Sequence, residues 1–135
     1  MSDSGRDGGS SLEEVENDYW GEPPPDVTRL VTTAYRLRRK PLAELTVEDV
    51  RLLVAQQIGL EALVPRALAW LENDPLLEGD FYPGDLLVAV LRVPTVYWSA
   101  HPDQAATLQD IAASVQGVDT ALQAHLDAFA SRDPA

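Results

Sequence analysis

The feature that most constrains the fold of this chain is the recurrence of apolar residues at helical spacing between proline and glycine stops. Residues 47–58 give the clearest example, with one apolar face formed by Val47, Val50, Leu53, Val54 and Ile58. No segment shows a convincing strand alternation, and no repeat of 30–45 residues is present. The sequence therefore predicts an all-α, compact single-domain bundle of five to seven helices.

Residues 86–93 (LLVAVLRV) are apolar enough to be a strand by composition. We predict a helix, because Pro83-Gly84-Asp85 is a reasonable helix entry and the neighbouring segments are helical. Residues 103–130 carry a long apolar stripe at helical spacing, which predicts one long C-terminal helix, with Gly117 near its middle as the place where it would bend or split.

Several residues are expected to begin helices. Ser11 with Glu14, and Thr46 with Asp49, have the spacing of a capping box. Asp26 is a third candidate cap, for a helix that begins at residue 27.

Two further residues are expected to mark helix ends. Gly59 is expected to close the helix over 47–58 in a left-handed conformation. Because proline is tolerated only near a helix start, Pro65 predicts that the following helix begins close to Val64.

The length of 135 residues and a hydrophobic content of 45% suit one domain with a real core. We predict a disordered tail over residues 1–10 and a single helical domain over 11–135. The chain contains no cysteine, which excludes disulfides and thiolate metal sites. The first residues do not resemble a secretory signal, and no apolar run approaches the roughly 20 residues of a membrane span. A cytoplasmic protein is the expectation.

The net charge of −12 disfavours binding to nucleic acid or to anionic membranes and favours a basic partner. The bases are concentrated in residues 27–41, which contain five of them and no acid: Arg29, Arg36, Arg38, Arg39 and Lys40. In so acidic a chain, we interpret this cluster as offsetting neighbouring carboxylates and a helix C-terminus rather than as a binding patch.

Residues 72–85 (ENDPLLEGDFYPGD) contain five acids and no base, with two aromatic residues among them. They lie between two predicted helices, so a folded scaffold would hold them. Acids and tyrosine on a firm scaffold are typical of a surface that binds a basic protein. The candidate partner-binding residues are Glu72, Asp74, Glu78, Asp80, Tyr82 and Asp85.

Few residues suit catalysis or metal binding. His101 and His125 are the only histidines and have no metal-ligand spacing, so we predict neither a metal nor a cofactor. Asp80 and Asp85 with His101 would be the residues of a hydrolase, which is one alternative hypothesis for the function. We favour a structural interpretation, in which Asp80 orders the turn and Asp85 caps the next helix, and we predict that the protein is not an enzyme.

Five sequence blocks occur in an order that resembles the immunity proteins of bacterial contact-dependent growth inhibition systems. These blocks are LEEVENDYW (12–20), RLRRKPL (36–42), TVEDVRLLVAQQIGL (46–60), VPRALAWLEN (64–73) and EGDFYPGDLL (78–87). The resemblance covers about Leu12 to Trp98.

The resemblance implies a cytoplasmic protein without catalytic activity that binds and neutralises the C-terminal toxin domain of a large surface protein. Many such toxins are nucleases, and nucleases need basic clefts, which an acidic partner can occupy. Residues that make a family recognisable cannot by themselves carry specificity for one toxin. If residues 78–87 serve mainly as scaffold, other acids become equal candidates: Glu13, Glu14, Glu16, Asp103 and Asp110. The alternative function is an acidic helical adaptor that binds another basic protein.

Overall fold

The computed structural model describes residues 9–115 and 120–130. Within these residues the fold is all-α, as the sequence predicts, but it contains eight α-helices rather than five to seven, together with a short 3-10 helix at Leu42–Glu44. The α-helices are α1 (Leu12–Glu16), α2 (Arg29–Arg39), α3 (Val47–Ala55), α4 (Leu60–Asn73), α5 (Asp85–Leu91), α6 (Thr95–Ala100), α7 (Pro102–Ser114) and α8 (Thr120–Ala130).

Helix α5 lies at the centre of the fold. All of its residues from Asp85 to Leu91 are buried, and it packs against α3, α4 and α8. A helix enclosed by other helices is apolar on every side, which is why this segment has the composition of a strand. The prediction of a helix at this position is confirmed.

The two predicted capping boxes are present at α1 and α3. The Glu14 and Asp49 carboxylates accept hydrogen bonds from the backbone amides of Ser11 (2.9 Å) and Thr46 (3.0 Å). The prediction for Asp26 is wrong, because α2 begins two residues later than expected. The Thr28 hydroxyl caps it by accepting a hydrogen bond from the backbone amide of Val31 at 3.3 Å.

The connection between α3 and α4 differs from the predicted one. Helix α3 ends at Ala55, and the left-handed residue that follows it is Gln57 (φ 60°) rather than Gly59. Gly59 is also left-handed (φ 69°) but lies at the N-cap of α4. Helix α4 already begins at Leu60, so Pro65 lies inside it and the predicted start near Val64 is wrong. The buried apolar face of α4 holds the helix together despite the backbone donor that proline lacks.

The C-terminal part contains two helices, α7 and α8, where one long helix was predicted. Helix α7 ends at Ser114, and Val115 has non-helical backbone angles (φ −120°, ψ 16°). Residues 116–119 lie outside the described part of the chain, as do residues 1–8 of the predicted disordered tail. Ser10 is described, and its carbonyl accepts a hydrogen bond from Leu42 N at 2.8 Å. Over the described ranges, no helix is both long and apolar enough to cross a membrane.

Three of the five bases in the cluster pair with carboxylates, as its interpretation predicts, and two of these pairs connect α2 to the N-terminal segment. Arg38 is 1% exposed and binds the Glu16 carboxylate and the Asp18 carbonyl, with its guanidinium 4.3 Å from the centre of the Trp20 ring. Two other bases of the cluster also pair with acids. Arg39 lies 3.4 Å from the Glu22 carboxylate, and Lys40 lies 2.9 Å from the Asp49 carboxylate.

Candidate functional site

The segment that joins α4 to α5, residues 74–84, forms an exposed loop, which we call the acidic loop. The side chains of Asp74, Glu78 and Asp80 are exposed on it, and Glu72 is exposed at the end of α4. Phe81 and Tyr82 are 66% and 47% exposed. Five of the six predicted partner-binding residues therefore share one solvent-facing region of the chain.

Asp85, the sixth predicted residue, is placed differently, since it is buried beneath the loop with 3% exposure. One carboxylate oxygen accepts a hydrogen bond from Gly79 N (2.6 Å), and the other accepts from Phe81 N (3.1 Å) and Tyr82 N (3.5 Å). Asp85 is the first residue of α5, not its N-cap, which is Gly84. The prediction that it caps α5 is wrong, because the carboxylate binds amides of the preceding loop instead.

Glu48 of α3 holds the tip of the loop. Its Oε1 accepts a hydrogen bond from the backbone amide of Asp80 at 3.0 Å, and the guanidinium of Arg51 donates to both of its oxygens, at 2.7 and 2.5 Å. The Arg51 hydrogen bonds, with the Asp80 amide, hold the pKa of Glu48 below its usual value. The prediction that the Asp80 side chain orders the turn is therefore wrong. Its backbone is held, and its carboxylate faces solvent.

Arg51 also supports the aromatic part of the loop. Its guanidinium lies 4.5 Å from the centre of the Phe81 ring, and the paired Glu48 carboxylate raises the pKa of Arg51. Sequence reasoning did not include Glu48 or Arg51 in the site, because each is 30 or more positions from the loop residue that it contacts. Nothing in the local pattern of α3 indicates that contact.

Two glycines allow the backbone of the loop to close. Gly84 has a positive φ of 91°, and its amide donates to the Leu76 carbonyl at 3.0 Å, which brings the two ends of the loop together. A Cβ atom on Gly79 would lie 2.7 Å from Glu48 Oε1 and 3.1 Å from Asp85 Oδ2. Only glycine leaves both carboxylates in their positions.

A groove of about 310 Å³ lies beside the acidic loop, between α3 and α5, and we call it the α3–α5 groove. Its walls include Val54 and Ala55 of α3 and Val88 and Ala89 of α5. Phe81 and Tyr82 of the loop also line it, as do five polar residues: Arg51, Gln56, Gln57, Asp85 and Arg92.

The residues of the hydrolase hypothesis are not brought together by any contact in the described residues. His101 lies at the junction of α6 and α7, where its Nε2 is 3.0 Å from a Glu61 carboxylate oxygen and its ring stacks on Tyr97. Burial and the nearby Glu61 charge raise the pKa of Tyr97 to about 12. Across residues 9–115 and 120–130, no group of three or more His, Asp or Glu side chains could hold a metal ion.

The other candidate acids have mixed environments. Glu14 serves the capping box of α1, and Glu16 pairs with Arg38. Asp103 and Asp110 are exposed on α7. Of all the candidate acids, only Asp74, Glu78 and Asp80 are exposed together on one loop.

The fold and the loop define an all-α domain with an acidic surface. The half-buried carboxylate of Glu48 and the buried carboxylate of Asp85 hold this surface in place. Comparison with protein families shows which class of such domains this is: the family model for CDI immunity proteins matches residues 14–108. The chain belongs to the contact-dependent growth inhibition (CDI) immunity protein family, and membership implies that it neutralises a toxin. Searches of curated proteins and of solved structures gave no match.

Proposed function

We propose that this protein neutralises its cognate toxin in the cytoplasm by one-to-one occlusion, with the acidic loop against a basic surface of the toxin domain. The observation that carries the proposal is that the loop backbone is fixed from below, while its carboxylates face solvent. Gly79, Asp80 and Phe81 each donate a backbone hydrogen bond to a carboxylate of Asp85 or Glu48.

A loop fixed in this way suits rapid and tight association. Ordering a flexible loop on binding costs conformational entropy, and a loop that is already ordered avoids much of that cost. The net charge of −12 attracts a basic partner over a distance, and the loop concentrates part of that charge at one place. The proposed contact residues are Glu72, Asp74, Glu78, Asp80 and Tyr82, with Asp85 as their support.

We propose a nuclease as the toxin. A nuclease binds phosphate in a basic cleft, and a row of carboxylates on a firm loop is complementary to such a cleft. The protein itself is proposed to act without catalysis, because occlusion requires only binding.

The test is calorimetric titration of the protein with the C-terminal toxin domain encoded beside it, at two salt concentrations. A loop variant, Glu78→Gln with Asp80→Asn, is compared with a control that removes the same charge from α7, Asp103→Asn with Asp110→Asn. We expect one-to-one binding that weakens with salt, and a larger loss of affinity in the loop variant. Equal losses in both variants would place the interface elsewhere. An absence of binding at micromolar concentrations would favour the adaptor alternative.

The nuclease assignment needs its own measurement. The toxin domain is incubated with DNA and RNA, with and without an equimolar amount of this protein. Cleavage that stops at one equivalent supports occlusion of a nuclease, whereas a toxin that cleaves neither substrate contradicts the assignment.

A further inference from the structure

We propose that the α3–α5 groove receives a carboxylate side chain of the toxin domain, which pairs with Arg92. This inference rests on the proposed function and deepens it by assigning a second subsite of opposite polarity. The acidic loop would bind basic residues of the toxin, and the groove beside it would bind one acidic residue.

Of the three charged residues that line the groove, Arg51 and Asp85 already have partners, and Arg92 is the one that can pair with a group of the toxin. The Arg51 guanidinium is engaged by both oxygens of Glu48 and by the Phe81 ring. The Asp85 carboxylate is occupied by amides of the loop. Arg92 is exposed, and no carboxylate of the described residues forms an ion pair with it.

The shape and lining of the groove suit a short acidic side chain. Its volume of about 310 Å³ is at the small end of the range for ligand pockets, which fits one or two side chains. Gln56 and Gln57 are exposed residues of its lining and offer further amide donors. The buried Val88 and Ala89 supply apolar contact for the methylene groups of an Asp or Glu.

A carboxylate is the complementary group because an arginine guanidinium binds it with two parallel hydrogen bonds. A lysine or arginine of the toxin would instead be repelled from the groove. Opposite polarities side by side would fix the orientation of the toxin on this surface. They would also reject basic domains that have no acidic residue at the corresponding position.

The test compares two charge reversals of equal size, Arg92→Glu in the groove and Arg29→Glu on α2, in calorimetric titrations with the toxin domain. Arg29 is exposed and does not line the groove, and an acid in the first turn of α2 is compatible with the helix dipole. We expect Arg92→Glu to weaken binding at least about 30-fold. Arg29→Glu should leave binding unchanged or tighten it, because the toxin surface is basic.

Arg92→Lys and Arg92→Gln complete the series. Lysine keeps the charge but not the paired hydrogen bonds, so the expected order of affinity is wild type, Lys, Gln and then Glu. Circular dichroism checks that each variant folds, and Arg92→Gln retains the test if the charge reversal prevents folding.

The outcomes separate this inference from the proposed function. If the wild type binds and Arg92→Glu binds as tightly as Arg29→Glu, or more tightly, the carboxylate subsite is wrong while toxin binding stands. If the wild type does not bind the toxin domain, both proposals fail.

Discussion

Glu48 of α3 accepts a hydrogen bond from the backbone amide of Asp80, which lies 32 residues further along the chain, at 3.0 Å. An acid of the scaffold thus holds an acid of the loop through its backbone, which leaves the Asp80 carboxylate free to face solvent. The like charges are tolerated because Arg51 neutralises Glu48 at the same time. The geometry of the acidic loop therefore depends on α3, although the exposed carboxylates of this surface belong to the loop and not to α3.

The first prediction concerns the pH dependence of stability. The pKa of Glu48 is lower in the folded protein than its ordinary value of 4.5, mainly because of the Arg51 hydrogen bonds. Between the lowered pKa of Glu48 and pH 4.5, the folded state therefore binds fewer protons than the unfolded state. The stabilisation is fully present above pH 4.5 and is lost as the pH falls through the folded pKa of Glu48.

Urea denaturation of the wild type and of Glu48→Gln, from pH 3 to pH 7, measures this contribution. We expect the free energy of unfolding to fall more steeply with acidification in the wild type than in the variant. Some dependence should remain in the variant, because hydrogen bonds from Thr46 and Lys40 outweigh burial and lower the pKa of Asp49 as well. The exposed Glu44→Gln serves as control and should follow the wild type. Parallel curves for the wild type and Glu48→Gln would contradict the role of Glu48.

The second prediction concerns Asp85, the buried support of the loop. Asp85→Asn keeps the size of the side chain but replaces one acceptor oxygen with an NH₂ group that faces backbone donors. We expect it to lower the free energy of unfolding by about 1–3 kcal/mol. Chemical denaturation at pH 7 measures the loss, with the exposed Asp110→Asn as control. A variant as stable as the control would mean that these hydrogen bonds are dispensable.

The third prediction concerns Gly79. A methyl group at this position would lie 2.7 Å from Glu48 Oε1, so the loop or the carboxylate must move. Gly79→Ala should therefore weaken toxin binding more than it destabilises the core, because the loop packs outside the central helices. Toxin titration and thermal unfolding are measured together. Gly9→Ala, where a Cβ would meet nothing within 4 Å, should leave both unchanged. Wild-type affinity in Gly79→Ala would argue against a requirement for this loop geometry.

Much of the fold could be predicted from the sequence because its signals are local. Apolar periodicity and the capping boxes at Ser11 and Thr46 depend on residues within one or two turns of each other. The predictions that were wrong depended on single residues read without their tertiary setting. Pro65 indicates a helix start by its backbone chemistry, but burial of the opposite face of α4 extends the helix before it.

The sequence predicted which residues make up the acidic site, but not which contacts hold the loop in its conformation. The run of acids over 72–85 indicates an exposed charged surface, and all of these acids except Asp85 are exposed. Sequence alone cannot separate acids that face solvent from acids that bind backbone amides, because both are Asp or Glu in the same stretch. The contribution of α3 arises from a contact between distant residues, for which one sequence carries no signal.

The last prediction concerns Gln57, which adopts a left-handed conformation (φ 60°) at the end of α3. The hydrogen bonds from Ile58 N to Leu53 O (2.9 Å) and from Gln57 N to Val54 O (2.9 Å) form a Schellman motif, where glycine is the favoured residue. Gln57→Gly should relieve the strain and stabilise the fold by about 0.5–1 kcal/mol. Gln56→Gly, one residue earlier at φ −90°, should instead destabilise the fold. Gln56 has no strain to relieve, and glycine raises the conformational entropy of the unfolded chain. Thermal unfolding of both variants measures the two signs, and destabilisation by Gln57→Gly would show that its left-handed conformation carries no strain.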